Sequence, residues 1–502
     1  PDTARSLHNL ATFYFETGAY VQAQPLFEDA VGILKAVLGP RHPDSVTSLS
    51  YLAGVYFKTG AYAKAQPLLE EALAIRKAVL GPRHPDIAES FLQLAWLYRV
   101  TGAYARAKSL LEEAVAIHKV VLGARHPDTA VSLNSLATLY TETGSYTQAQ
   151  PLLVEALAIR KAVLGPRHPD TATSFHSLAA FYFKTGAYAQ AQPLFEEALE
   201  IRKAVLGLHH PAMVSSFIDL GDITWIQDDW VAALQHLRGA VNVEEANLRS
   251  VLTLGDESRK RAFMATLEES TSAMMSFVGG AAAHVPEAIS LGLEVVLQRK
   301  GRMLDALAES LARIRRSATP EDQALWARYV AVQTDWAAMT LRGPSSQPVD
   351  QYRARLAELE QQAGQVATEL SSRSSKFRTV LEPVTLAQVQ RAIPPRAVLL
   401  EWVRYHPFNP KAIKMEPSWG APRYAVYVLK PHGAPVFVDL GEADILDRQI
   451  ADLLAAVRYP GGMQGKQVLA HDLYRRLIQP VQVHLGSATN LFLSPDGQLN
   501  LP

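Results

Sequence analysis

Leu80-Gly81-Pro82-Arg83-His84-Pro85-Asp86 decides the fold of this chain, because it comes back. The same seven residues stand at Leu38 to Asp44 and at Leu164 to Asp170. Leu122-Gly123-Ala124-Arg125-His126-Pro127-Asp128 differs by one residue, and His210-Pro211-Ala212 is a worn copy. Each return is a step of 42 residues, and the chain itself opens on Pro1-Asp2, as if a unit had been cut through. A second marker keeps the same step: Thr17-Gly18-Ala19-Tyr20, Thr59 to Tyr62, Thr101 to Tyr104, Thr143-Gly144-Ser145-Tyr146 and Thr185 to Tyr188. Two independent markers on one period in this range define a solenoid of stacked units. Such arrays bind along a concave face.

Working outward from the motif, each unit reads as two helices. In the second unit the spacing of Leu49, Leu52, Ala53 and Tyr56 predicts a helix from about Asp44 to Lys58. Pro43 suits a first turn, where no N–H is needed, and Asp44 complements the positive helix end. Gly60 supplies the left-handed residue that ends it. A second helix is expected from about Tyr62 to Leu80, with Ala65, Leu68, Leu69, Ala72, Ile75 and Leu80 as its buried stripe. Ala11, Ala53, Ala95, Ala137 and Ala179 recur where helices must approach closely, before Gly221 takes the place in a sixth unit. Tyr14, Tyr56, Tyr98, Tyr140 and Tyr182 recur three residues later and read as packing. His42, His84, His126 and His168 stand one unit apart, roughly 10 Å in a stack, too far to share an ion whose ligands sit near 2 Å. A capping or loop-bonding role is expected of them, and no metal or cofactor.

Composition narrows the function. A chain of 502 residues exceeds one core. Lys+Arg and Asp+Glu balance at 49 each, which argues against a nucleic-acid partner. No apolar run approaches the 18 or so residues of a membrane span, and there is no signal-peptide pattern, so a cytoplasmic protein is expected. The absence of cysteine removes disulfides, thiolate metal sites and a cysteine nucleophile. Both ends look cut, and the chain reads as a fragment. The oligomeric state is left open.

The repeat half resembles tetratricopeptide (TPR) repeats, in the long-helix form of kinesin light chains: five good units and a degenerate sixth, in which Gln227-Asp228-Asp229-Trp230 replaces Thr-Gly-Ala-Tyr. The resemblance implies a right-handed superhelix whose first helices line an inner groove. Carried onto this chain, one lining column is Asn9, Tyr51, Gln93, Ser135, Ser177 and Asp219. The next is Thr12, Gly54, Trp96, Thr138, Ala180 and Asp222, and the third is Phe15, Phe57, Arg99, Thr141, Phe183 and Trp225. These columns vary while the packing positions repeat. Amides, hydroxyls and aromatics suit an extended peptide or a protein loop. Arg5, Lys58, Arg99 and Lys184 fall short of the basic cluster that the family's carboxylate-clamp form uses.

Beyond about residue 247 the repeat stops. Helices are expected over Glu257 to Phe277, Pro286 to Arg316, Glu321 to Arg342 and Gln351 to Arg378, the last two forming a coiled-coil-like hairpin across a turn-rich linker, Gly343 to Pro348. Arg299-Lys300-Gly301-Arg302, with Arg313, Arg315 and Arg316, reads as a solvated basic face. From about 381 the pattern changes to strands at Ala397 to Val403, Tyr424 to Leu429, Val436 to Leu440 and Asn490 to Ser494, with helices at Ala443 to Val457 and Lys466 to Leu485. That is an α/β layer. The expected architecture is mainly α: a TPR solenoid over 1–247, a helical connector over 248–380, and an incomplete α/β unit over 381–502.

Arg299-Lys300-Gly301, Val384 to Gln390, Pro422 to Leu429, Val438-Asp439-Leu440-Gly441 and Leu493-Ser494-Pro495-Asp496-Gly497-Gln498-Leu499-Asn500-Leu501-Pro502 together resemble the opening of the CHAT domain, a caspase-like peptidase domain often preceded by TPR units. The resemblance implies a His–Cys dyad, which in that family follows the Ser-Pro-Asp-Gly segment and so would lie beyond Pro502. The chain is therefore expected to be catalytically inactive, the fragment of a cysteine endopeptidase whose array binds a partner or substrate. A scaffold without chemistry is the other reading. His432-Gly433 reads as a turn, since no Cys can pair with it. Gly461-Gly462-Met463-Gln464-Gly465-Lys466 is rejected as a phosphate loop because its glycine spacing is one short and Gln467 replaces Ser/Thr. His471-Asp472 is expected to be a surface pair.

Overall fold

The structure, a computed structural model, describes residues 2–16, 20–39, 41–254, 263–264, 266–280, 282–307, 319–344, 347–373, 384–412, 418–458 and 463–500. Twelve helices make the array: α1 (Asp2–Glu16), α2 (Tyr20–Leu38), α3 (Asp44–Lys58), α4 (Tyr62–Leu80), α5 (Pro85–Val100), α6 (Tyr104–Val121), α7 (Pro127–Glu142), α8 (Tyr146–Val163), α9 (Pro169–Lys184), α10 (Tyr188–Leu206), α11 (Ala212–Ile226) and α12 (Trp230–Leu254). The limits expected for the second unit, Asp44 to Lys58 and Tyr62 to Leu80, are the limits of α3 and α4. Gly60, Gly102, Gly144 and Gly186 hold φ between +74° and +79°, the left-handed turn that only glycine enters without strain. Leu80 departs from the expected stripe. It is exposed and Leu68 is half-buried, so the enclosed stripe of α4 narrows to Ala65, Leu69, Ala72 and Ile75.

The histidines of the repeated motif cap helices. In α5, α7 and α9 the residue before Pro is extended, and the Nδ1 of His84, His126 and His168 accepts the N–H of Asp86, Asp128 and Asp170 at 3.2 Å. The carboxylates in the first turn then meet the positive helix end. His126→Ala should cost about 1 kcal/mol, read as faster amide exchange in the first turn of α7 with the rest of the array unchanged.

Ala11, Ala53, Ala95, Ala137 and Ala179 are all buried to within 1%. At Gly221 a Cβ would come within 3.2 Å of Leu237, so the substitution in the sixth unit has a steric cause. The tyrosine column does more than pack. Tyr56, Tyr98 and Tyr140 donate to Glu28, Glu70 and Glu112 of the preceding unit at 2.6, 3.1 and 3.1 Å. Burial and the neighbouring carboxylate push Tyr56 up to about 12. Where that carboxylate gives way to Val154, Tyr182 instead accepts from Gln150 at 3.2 Å. A second set of links is buried: Arg160 donates to Ser174 Oγ at 2.8 Å and to the Asp170 carbonyl at 3.0 Å, and Arg202 to Ser216 Oγ.

After the array come α13 (Glu268–Gly279), α14 (Pro286–Leu307), α15 (Pro320–Arg342) and α16 (Val349–Arg373). The ends expected at Glu257, Arg316 and Arg378 fall on or beyond residues outside the described set. Helices α15 and α16 form the expected hairpin around Trp326, Tyr329, Trp336, Tyr352, Leu356 and Leu359. Tyr352 donates to the Leu206 carbonyl at 3.2 Å, which seats the hairpin on α10, and α15 also approaches α12 and α1.

Helix α17 (Leu386–Ala392) starts at a reciprocal cap between Thr385 and Gln388. Strands β1 (Ala397–Tyr405), β2 (Arg423–Leu429), β3 (Val436–Glu442) and β4 (Asn490–Ser494) make one sheet in the order β3-β2-β1-β4. The pairs β1/β2 and β2/β3 are antiparallel, while β4 runs parallel to β1. Between β3 and β4 lie α18 (Ala443–Arg458), α19 (Met463–Leu477) and α20 (Gln482–Leu485). The single helix expected from Lys466 to Leu485 is broken at Gln479-Pro480-Val481, a 3-10 turn where proline removes a backbone donor. His432-Gly433 is a turn, held by Gln390 donating to the carbonyls of Lys430 and Gly433.

The reading of Arg299 and Lys300 as a solvated face is overturned; both are structural ties. Arg299 pairs with Glu244 of α12 at 2.5 Å and donates to the Leu267 carbonyl at 2.9 Å. Lys300 pairs with Glu401 on β1 at 2.5 Å and reaches the Pro495 carbonyl at 3.2 Å. Arg302, Arg313, Arg315 and Arg316 lie outside the side chains described. One apolar core runs from Trp225, Leu237 and Val241 of the array, through Met275, Phe277 and Leu293, to Val403, Ala425 and Tyr427 of the sheet.

Candidate functional site

First helices of neighbouring units meet directly: α1 with α3, α5 with α7, α7 with α9, and α9 with α11. The second helices approach one another less closely, so the first helices form the inner side of the curve. The three columns stand on these first helices.

At its N-terminal end the wall is aromatic. Phe15 meets Tyr51 edge-on at 5.5 Å, and the ring lies over Gly54, where a Cβ would stand 3.3 Å from it. Phe57 stacks on Trp96, which is 41% exposed. Asn9 is exposed and Thr12 half-buried. Gln93 donates to Glu89 at 3.4 Å, and its Oε1 is buried without a partner among the described residues. Arg99 is not available as a free cation, because it pairs with Glu142 across the units.

The middle of the wall carries hydroxyls. Ser135, Thr138, Thr141 and Ser177 each donate back to the carbonyl four residues earlier, at 2.9 to 3.0 Å. Their oxygens remain acceptors. Phe183 is half-buried against Tyr188.

The sixth unit ends the wall differently. Trp225 is buried against Phe277 and Phe408, and so belongs to the junction with the α/β part. It also lines a cleft of about 460 Å³ with Gly279, Tyr405, Phe408 and Arg423. Burial, and next Asp439, push Tyr405 up to about 12. Asp219 pairs with His176 at 2.7 Å, and Asp222 is 6% exposed. Nothing in the repeat pattern marks Trp225 as buried, since Phe277 and Phe408, the rings packed against it, lie outside the repeat.

A curved stack of helix pairs with a repeated core and a varied inner wall is the architecture of a helical-repeat binding solenoid. Comparison with known families matches the tetratricopeptide repeat to residues 2–78, 44–119, 99–162, 128–204 and 170–245. Through this array the chain belongs to the tetratricopeptide repeat family. Among solved structures it is similar to the nearly identical TPR-like repeats of a kinesin-light-chain-type protein from Podosopora anserina, with 34% identity over 40% of this chain and 94% of that one, at a TM-score of 0.36. It is also similar to BtubC from P. vanneervenii, with 22% identity over 47% and 91% of the two chains and a TM-score of 0.37. Comparison with the curated proteins gives no match. Among the described residues no helix is long and apolar enough to cross a membrane.

Proposed function

We propose that the inner wall of the array binds an extended segment of a protein partner, and that this is the chain's primary activity. The contrast within the repeat carries the reading: the Ala and Tyr positions keep one residue through five units, whereas each wall column mixes residue types, with Asn9, Tyr51, Gln93, Ser135 and Ser177 in one, Thr12 and Trp96 in the next, and Phe15, Phe57, Arg99 and Phe183 in the third. Packing forces identity on the first set, and a surface shaped for one ligand has no reason to repeat. An exposed aromatic beside unpaired amide and hydroxyl acceptors can seat apolar side chains and bond a peptide backbone. Equal numbers of acidic and basic residues favour a protein over a nucleic acid, and we place the protein in the cytoplasm.

The test is selection of peptides from a random dodecapeptide display library on the immobilised full chain. Selected peptides should bind the combined variant Asn9→Ala, Gln93→Ala, Trp96→Ala at least about 100-fold more weakly, the sum of one strong contact at Trp96 and two modest ones. Unchanged affinity would remove the groove assignment.

A second reading concerns residues 381–502. We propose that they belong to a caspase-like module whose activity the array targets. The ordered motifs support this: Asp496 accepts the Arg404 N–H at 2.8 Å, and Gly497 (φ +55°) leaves room for the Tyr424 hydroxyl. The chain has no cysteine, so it supplies no thiolate of its own and should show no thiol-dependent peptidase activity. Cleavage of a fluorogenic peptide panel by the purified chain, abolished by a thiol alkylator, would contradict this reading.

A further inference from the structure

The wall changes chemistry along its length, from rings on Phe15, Phe57 and Trp96, through hydroxyls, to two carboxylates on α11. Asp222 takes a position that holds Thr12, Gly54, Trp96, Thr138 and Ala180 in the other units. The repeat therefore does not require an acid there. It is 94% buried, counted from its 6% exposure, and among the described residues it has neither a hydrogen bond nor an ion pair. A buried polar group without a partner costs free energy that packing alone would remove by substitution. Burial, with Asp219 adding to it, holds its carboxyl well above the usual range.

The surrounding charges leave the position open to a cation. Asp219 is one turn away and engages His176. Arg202 on α10 sits close enough to feel Asp219, but directs its donors to Ser216 and the Ala212 carbonyl. Trp225, one turn beyond Asp222, opens onto the cleft of about 460 Å³. Arg423 in that cleft is neutralised by Asp439, which it meets at 2.5 Å, and Lys411 stands exposed at its edge.

We propose that the C-terminal end of the wall, at Asp222 and Asp219, receives a lysine or arginine side chain of the same segment whose apolar residues seat on Phe57 and Trp96. This rests on the groove reading above and adds the ligand's class: an extended peptide with an apolar anchor at one end and a cation at the other. The spacing follows from the stack. Trp96 and Asp222 are three units apart, and packed helices lie about 8–10 Å apart. The wall between them is thus roughly 24–30 Å, which about seven to nine extended residues span.

The experiment uses the dodecapeptides selected on the full chain. Lys or Arg should be enriched about seven to nine residues from an aromatic or leucine anchor. Replacing that cation by Met should lower affinity at least tenfold on the unaltered chain and less than twofold on Asp219→Asn, Asp222→Asn. The acid-to-amide changes are isosteric, and any loss of fold would weaken cation-free peptides equally, so the difference between the two losses isolates the contact. Peptides that depend on Trp96 but lose the same affinity on both proteins overturn this proposal and spare the groove. A failure to recover any Trp96-dependent peptide overturns both.

Discussion

Arg299→Ala is expected to lower the stability of the chain by roughly 3–5 kcal/mol, the cost of breaking a buried ion pair from one side. The guanidinium and the Glu244 carboxylate are each 8% exposed and 2.5 Å apart. Removing the cation leaves the carboxylate enclosed, and strips donors from the Leu267 carbonyl and from Thr271. The pair is not itself a strong source of stability. Burial pushes Glu244 up and Arg299 down, each opposed by its partner, so desolvation outweighs attraction on both sides. Replacing both, Arg299→Met with Glu244→Leu, should therefore restore most of the loss. The pH dependence has a definite sign. A carboxyl raised in the folded state favours folding below its unfolded value, near 4.5, and that contribution fades as pH rises. Without Arg299 the rise is greater, so the single variant should be closer to the parent at pH 5 than at pH 7. Urea melts followed by tryptophan emission, which includes Trp225 in the adjoining core, read both effects. Equal destabilisation by the single and double variants would show that the site acts through shape alone.

Trp96→Ala is the second large effect, on binding and not on folding. The ring is 41% exposed and stacks on Phe57, so its loss removes packing at the surface of the array without opening its enclosed core. In a complex the same ring would be covered, and buried tryptophans are frequent energetic anchors, with losses of about 2 kcal/mol or more. That is a fall in affinity of about 30-fold, measured by calorimetric titration of a selected peptide. Val79→Ala, on the outer helix α4 and 51% exposed, should leave the affinity unchanged. A loss equal to that of Trp96→Ala would place the contact elsewhere.

The array was legible because its markers are redundant. Glycine at the end of each first helix and His-Pro-Asp at the start of the next leave little freedom in the limits, and α3 and α4 match to the residue. The strands were legible from runs such as Tyr424 to Leu429, buried almost without interruption in β2. Arg299 and Lys300 were misread because a helix outside a repeat has no internal copy to show which face is covered, and a buried arginine looks like a solvated one until Glu244 appears across from it. The tyrosine column by itself reads as packing, although the Glu28, Glu70 and Glu112 series keeps the same 42-residue step and points to its hydrogen bonds. The break near Pro480 was visible in principle, since proline inside a helix removes a backbone donor.

The central claim is that the inner wall carries the ligand. Hydrogen–deuterium exchange of the full chain, with and without a selected peptide at saturation, tests it most directly. The account predicts slower exchange in α3, α5, α7, α9 and α11, with α4, α6 and α8 unchanged on the outer side. Protection confined to those outer helices, or to the α15–α16 hairpin, would contradict it.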